Sequence, residues 1–123
     1  NVLDKACERI SRFHRELFTI RFGKNVVNLL CRDIVYLESN KRKVIVHTVR
    51  GEYEYYHKLD EAEEELLAIS ADFVRIHKAY LVNMEHVEAF QYEKLALRDG
   101  TILSISEAHR ANVRSRFWEW GSE

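Results

Sequence analysis

The sequence predicts a mostly β domain with a few short peripheral helices, and three observations carry that reading. Runs rich in β-branched and aromatic residues recur along most of the chain, turn pairs such as Arg50-Gly51 and Asp99-Gly100 punctuate them, and proline is absent. With 123 residues and 46% hydrophobic content, the chain suits one compact domain built on one core.

Leu3, Ala6, Ile10, Phe13 and Leu17 recur at alternating spacings of three and four, which predicts an amphipathic helix near 2–16, with Asn1 available as its cap. The chain opens on Asn1 rather than Met, so this helix is expected to be a linker, residues 1–17, leading from a further N-terminal domain. Phe18-Thr19-Ile20-Arg21-Phe22 alternates as a half-exposed strand, Gly23-Lys24-Asn25 forms a hairpin loop, and Val26 to Leu30 returns. Asp33 to Glu38 and Lys43 to Val49 are β-branched runs, and Ser39-Asn40-Lys41-Arg42 between them has turn composition. Glu52 to Tyr56 is an aromatic strand. Leu59, Leu66, Leu67 and Ile69 mark an acidic helix over 60–69, whose early acids Asp60 and Glu61 suit a positive helix N-terminus.

The segment Phe73 to Asn83 then sets apolar residues around Arg75, His77 and Lys78, as a buried scaffold that carries polar groups. Tyr80, Leu81 and Val82 are expected in the core, with Asn83 capping a turn. His86 to Gln91 and Lys94 to Arg98 are strand-like, Asp99-Gly100 is a hairpin turn, and Thr101 to Ile105 is its return strand. Ser106 is placed to cap a last helix whose apolar stripe is Val113, Phe117 and Trp120. About eight short strands result.

A net charge of −1 conceals a strong asymmetry. Ser39 to Arg50 carries Lys41, Arg42, Lys43 and Arg50 with no acid, whereas Glu52, Glu54, Asp60, Glu61, Glu63, Glu64 and Glu65 follow with Lys58 alone. Arg110, Arg114 and Arg116 make a second basic stretch. A polyanion is expected to meet a basic face while the acidic helix points away.

The apolar runs are too short to cross a bilayer and no signal segment opens the chain, which predicts a cytoplasmic protein without a membrane partner. Cys7 and Cys31 lack metal-ligand spacing and are expected as buried thiols. No H-E-x-x-H, phosphate-loop or nucleophile-elbow pattern occurs, so neither catalysis, a cofactor nor a metal site is expected. His77, flanked by Arg75 and Lys78, suits donation to an anion or base edge better than metal binding.

Nucleic-acid binding needs cations for phosphates and directed donors for base edges on a rigid frame. Three clusters offer them: Ser39 to Lys43, Arg75 to Lys78, and the start of the last helix. The spacing Asp33-Ile34-Val35-Tyr36-Leu37-Glu38-Ser39-Asn40, then Phe73-x-Arg75-x-His77-Lys78-Ala79-Tyr80-Leu81-Val82-Asn83, then Leu95-x-Leu97-x-x-Gly100 and Ile105-Ser106, resembles the LytTR DNA-binding domain. The resemblance covers residues 18–117, and the domain it defines runs over 18–120.

That resemblance implies an elongated, sandwich-like antiparallel β fold whose loops enter successive major grooves and bend double-stranded DNA. It further implies an output domain of a bacterial two-component transcriptional regulator, joined to an N-terminal receiver domain, acting on tandem sites and able to pair as a homodimer on DNA. By position it assigns base reading to Lys41, Arg42, Lys78 and Arg110, and phosphate contact or support to Lys43, Arg75, His77 and Arg114. The competing reading is a protein-interaction module that uses the aromatic strand 53–56 and the acidic helix 60–69.

Overall fold

The computed structural model describes residues 17–22 and 24–121, so the expected helix 2–16, Cys7 and Gly23 lie outside the described residues. Among the described residues, ten strands form three antiparallel sheets. Strands β1 (Leu17–Phe22) and β2 (Asn25–Leu30) make a hairpin. A five-stranded sheet follows, built from β3 (Ile34–Asn40), β4 (Lys43–Thr48), β5 (Gly51–Tyr56), β6 (Phe73–His77) and β7 (Tyr80–Asn83) in the order β5-β4-β3-β7-β6. Strands β8 (Val87–Phe90), β9 (Lys94–Leu97) and β10 (Ile102–Ser104) form the third sheet. Helix α1 (Leu59–Leu67) joins β5 to β6, and helix α2 (Arg110–Gly121) closes the chain. The mostly β, antiparallel class therefore holds.

Across β3, β7 and β6 the central sheet is apolar on both faces, because neighbouring residues of one strand point opposite ways. In β7, Leu81 joins one core and Val82 the other; Phe73 and Val74 divide likewise in β6. The first core gathers Phe18, Ile20 and Leu29 of the N-terminal hairpin with Val44 and Val46 of the sheet and Leu59, Ala62 and Leu66 of α1. In the second, Leu95, Leu97, Leu103 and Val113 cover Val74, Ile76 and Val82. Each fully buried large apolar side chain contributes roughly 1.5–3 kcal/mol. Ile34 and Leu37, three apart, both join the first core because a register shift between Ile34 and Tyr36 absorbs the odd residue.

Several sequence expectations are corrected. The segment Phe73 to Asn83, expected as a buried scaffold carrying polar groups, is two strands joined by a turn at Lys78-Ala79. Ser106 caps no backbone N–H; its Oγ lies 2.6 Å from His109 Nδ1, and a 3₁₀ turn, Glu107–His109, precedes α2. Leu81 and Val82 are fully buried, while Tyr80 is only half-buried. The acidic helix ends at Leu67, and Tyr53 and Tyr55 pack on the first core, which leaves Tyr56 as the exposed tyrosine of the aromatic strand. Gly100 has φ +96°, a conformation side chains rarely adopt, at the Asp99-Gly100 turn, where Thr101 N–H donates to Asp99 Oδ1 at 2.9 Å. That bond, first among the causes, holds the Asp99 carboxyl below its ordinary value.

Asn83 does more than cap a turn. It is 1% exposed, and its Nδ2 donates to the carbonyls of Cys31 (3.1 Å) and Ile34 (2.9 Å) while its Oδ1 accepts from Glu85 N–H (3.0 Å). The side chain thus ties the end of β7 to the entry of β3. Replacing Asn83 with Ala strands these groups, two of them carbonyls facing the core, and is expected to destabilise the fold by roughly 2–4 kcal/mol in chemical denaturation.

Candidate functional site

One end of the central sheet gathers the basic turns. The β3–β4 turn is Lys41-Arg42, closed by the paired Asn40 and Lys43, and the β6–β7 turn is Lys78-Ala79. Since β3 and β7 run antiparallel with Glu38 opposite Tyr80, both turns project from the same end. Ser39 N–H donates to the carbonyl of Ala79 at 2.8 Å and joins them directly. His57 N–H donates to the Arg42 carbonyl at 3.2 Å, which brings in the segment before α1. The result is an open groove of about 790 Å³ whose lining includes Lys41, Arg42, Lys58, Asp60, Arg75 and Lys78.

Lys41 and Arg42 are exposed, and Lys41 has φ +60°, a left-handed conformation uncommon outside Gly, Asn and Asp. The turn thus carries local strain at a position that presents a cation. Lys78 is also exposed. Among the described residues none of these three side chains is held in an ion pair, so each is available to an anion.

Arg75, by contrast, is engaged. Its Nη1 donates to Asp60 Oδ1 (2.7 Å) and Glu63 Oε1 (2.9 Å), its Nε to the His77 carbonyl (2.7 Å) and its Nη2 to the Lys78 carbonyl (2.6 Å), with the side chain 10% exposed. The acidic helix therefore does not point away from the basic face: its first turns lie in the same groove. Sequence reasoning missed this, because with α1 considered alone Asp60 reads as an acid at a helix N-terminus and Glu63 as part of a solvated face.

His77 is held neutral. Its Nδ1 accepts from Ala79 N–H at 3.1 Å, which leaves the proton on Nε2, where it remains a donor. Burial, then Lys78, His109 and Arg75, push its pKa below the ordinary 6.5. Three further described histidines also have partners. His47 bridges Glu38 (3.0 Å) and Glu52 (2.9 Å) and stacks on Tyr36, His57 meets Glu65 at 3.2 Å, and His86 lies 2.6 Å from the Arg32 carbonyl. The Tyr36 phenol is pushed up to about 12, chiefly by burial and next by Glu38. Among the described residues no cluster of His, Cys, Asp and Glu could hold a metal ion.

The other assigned residues separate. Lys43 is paired with Glu54 at 3.2 Å and lies over the Tyr56 ring, and the hydrogen bond to Glu54 raises its pKa. Ser106 N–H donates to the Ile76 carbonyl at 2.9 Å, which sets the 3₁₀ turn and His109 beside β6. Arg110, half-buried, bonds the Ile105 carbonyl through Nε and stacks over Tyr92, whereas Arg114 is exposed on α2. Neither lines the groove. Arg116 is structural: its Nη2 bonds the carbonyls of Ala71 (2.8 Å) and Phe73 (2.9 Å) and pins α2 to β6.

Residues 24–118 match the family model described as the LytTr DNA-binding domain. The sensory transduction protein LytT of Bacillus subtilis (strain 168) is 23% identical over 112 residues, 87% of this chain, and the chain spans 46% of that protein's length. A solved LytTr DNA-binding domain from Bacillus cereus, belonging to a protein named as a methyl-accepting/DNA response regulator, superposes with a TM-score of 0.70 at 20% identity, covering 83% of this chain and 96% of that one. That likeness speaks to the fold.

Two outcomes follow from this geometry. Lys41→Val forces a β-branched residue into the left-handed region and is expected to cost roughly 1–2 kcal/mol in denaturation, whereas Lys41→Gly stays within about 1 kcal/mol of the parent. For His77, the unfolded chain binds the proton more readily than the fold, so its contribution to stability is present above pH 6.5 and is lost as pH falls from there toward the folded value. An NMR titration is expected to place the His77 midpoint below 6.5, and His77→Gln to lessen the acid-side loss of stability.

Proposed function

The chain belongs to the LytTR DNA-binding domain family, and from that membership we propose that it is the sequence-specific, double-stranded DNA-binding output module of a two-component transcriptional regulator. The observation that carries the reading is the pair of turns bearing Lys41, Arg42 and Lys78, joined by the Ser39–Ala79 hydrogen bond and offering cations without ion-pair partners among the described residues. A two-stranded hairpin tip fits the major groove, and a lysine ammonium donates well to guanine O6 and N7.

In this reading Lys41, Arg42 and Lys78 read bases, and Arg110, through the guanidinium nitrogens its Ile105 bond leaves over, reads a base in a neighbouring groove. Lys43 and Arg114 meet phosphates, with His77 supplying its Nε2–H beside them. Cations distributed from the turns to α2 favour DNA that bends toward them, since neutralising phosphates on one side draws the duplex round. An N-terminal receiver domain in the full-length protein, tandem sites, a homodimer on DNA and a cytoplasmic location complete the proposal. Among the described residues, no helix is long and apolar enough to cross a membrane.

The protein-interaction alternative is the weaker one, because Tyr53 and Tyr55 are used in the core and α1 buries Leu59, Ala62 and Leu66. In vitro selection of bound duplexes, followed by salt-titrated binding, separates the two. Lys78→Ala is expected to relax preference at one base position by about 1–3 kcal/mol, while Arg114→Ala weakens all sequences alike and flattens the salt dependence. No affinity for any duplex at low salt would overturn the proposal.

A further inference from the structure

We infer that Asp60 and Glu63, acting through Arg75, set the orientation of the β6–β7 turn and so determine base preference at the position that Lys78 reads. The inference rests on the reading of Lys78 as a DNA contact, and it assigns positioning roles to two acids of a helix that carries none of the candidate base readers.

Arg75 lies where the register of β6 against β7 shifts, between Arg75 and His77. The residue left out of register there is Ile76, whose carbonyl accepts from Ser106 N–H, while the carbonyls of His77, at the end of β6, and Lys78, in the turn, both accept from the Arg75 guanidinium. The side chain therefore closes back over the turn that presents Lys78. Two carbonyls cannot neutralise a guanidinium that is 10% exposed, and the missing charge comes from Asp60 and Glu63, three apart and hence on one face of α1. Asp60 is itself exposed, at 85% of its side chain, and Glu63 at 28%, so α1 reaches out to the guanidinium from the groove wall. The second restraint on the turn, Ala79 N–H to His77 Nδ1, depends on the same backbone geometry. Without the two carboxylates, the guanidinium has only carbonyl partners and a nearby groove where phosphates approach; it leaves the turn, and Lys78 loses its fixed departure point.

A lysine has one ammonium in place of a planar fork and cannot serve two carbonyls and two carboxylates together, so Arg75→Lys tests the clamp while keeping the charge. The double variant Asp60→Asn/Glu63→Gln tests it from the helix side with little risk to the fold. Each is compared with the parent chain and Lys78→Ala on the selected duplex and its single-base variants. Both clamp variants are expected to lower discrimination on the order of tenfold at the same base position that Lys78→Ala affects, and to leave other positions unchanged.

The clamp is overturned if Asp60→Asn/Glu63→Gln changes affinity for all duplexes by one common factor, which is the mark of a purely repulsive role for the acids. It is equally overturned if Arg75→Lys weakens all sequences alike with a flatter salt dependence, the mark of a direct phosphate contact. Amide exchange at Ala79, measured without DNA, separates the clamp from the reading beneath it. Faster exchange in both clamp variants, together with an inert Lys78→Ala, supports the clamp and removes Lys78 as reader, whereas unchanged exchange overturns the clamp.

Discussion

A sheet that is apolar on both faces has to be covered twice, and most of this fold follows from that requirement. The five central strands bury Val44, Val46 and Leu81 on one side and Val74, Ile76 and Val82 on the other. The N-terminal hairpin with α1 supplies one cover, and the third sheet with α2 supplies the other. Across β3, β7 and β6 both faces are thereby committed to packing. What remains for chemistry is the sheet's end, where strands turn and backbone groups and long side chains meet solvent. Lys41, Arg42 and Lys78 sit at those turns.

Charge is organised on the same plan. A near-neutral total would suggest indifference to polyanions, but the acids are local partners rather than a uniform coat: Glu54 takes Lys43, Glu38 and Glu52 take His47, and Asp60 with Glu63 takes Arg75. Basic side chains at the turn tips are left over. An acid next to a basic groove weakens long-range attraction, yet it also fixes which cations are available and which serve as struts, and so trades raw attraction for a defined pattern.

Much of this was legible in the chain. Strand after strand announces itself through alternation, and Asp99-Gly100 through its turn chemistry, because those signals are local. The β6–β7 turn was not legible, since Lys78-Ala79 has none of the usual turn residues, and the Arg75 guanidinium that bonds the His77 and Lys78 carbonyls meets them only in the folded chain. Likewise Arg75 reads as an anion donor in sequence, while its partners lie 12 and 15 residues away on α1 and come within reach only after folding. Arg116 shows the same limit: nothing around it in sequence points to the carbonyls of Ala71 and Phe73. The nearness of the acidic helix to the basic groove is a property of how β5, α1 and β6 connect, which no single segment encodes.

The hydrogen bond between Ser39 and Ala79 is made by backbone atoms alone. It uses no side chain at 41, 42 or 78, so the backbone itself brings the two tips together. On the proposed reading, such a bracket would let recognition diverge by substitution at the tips while the frame between them is kept.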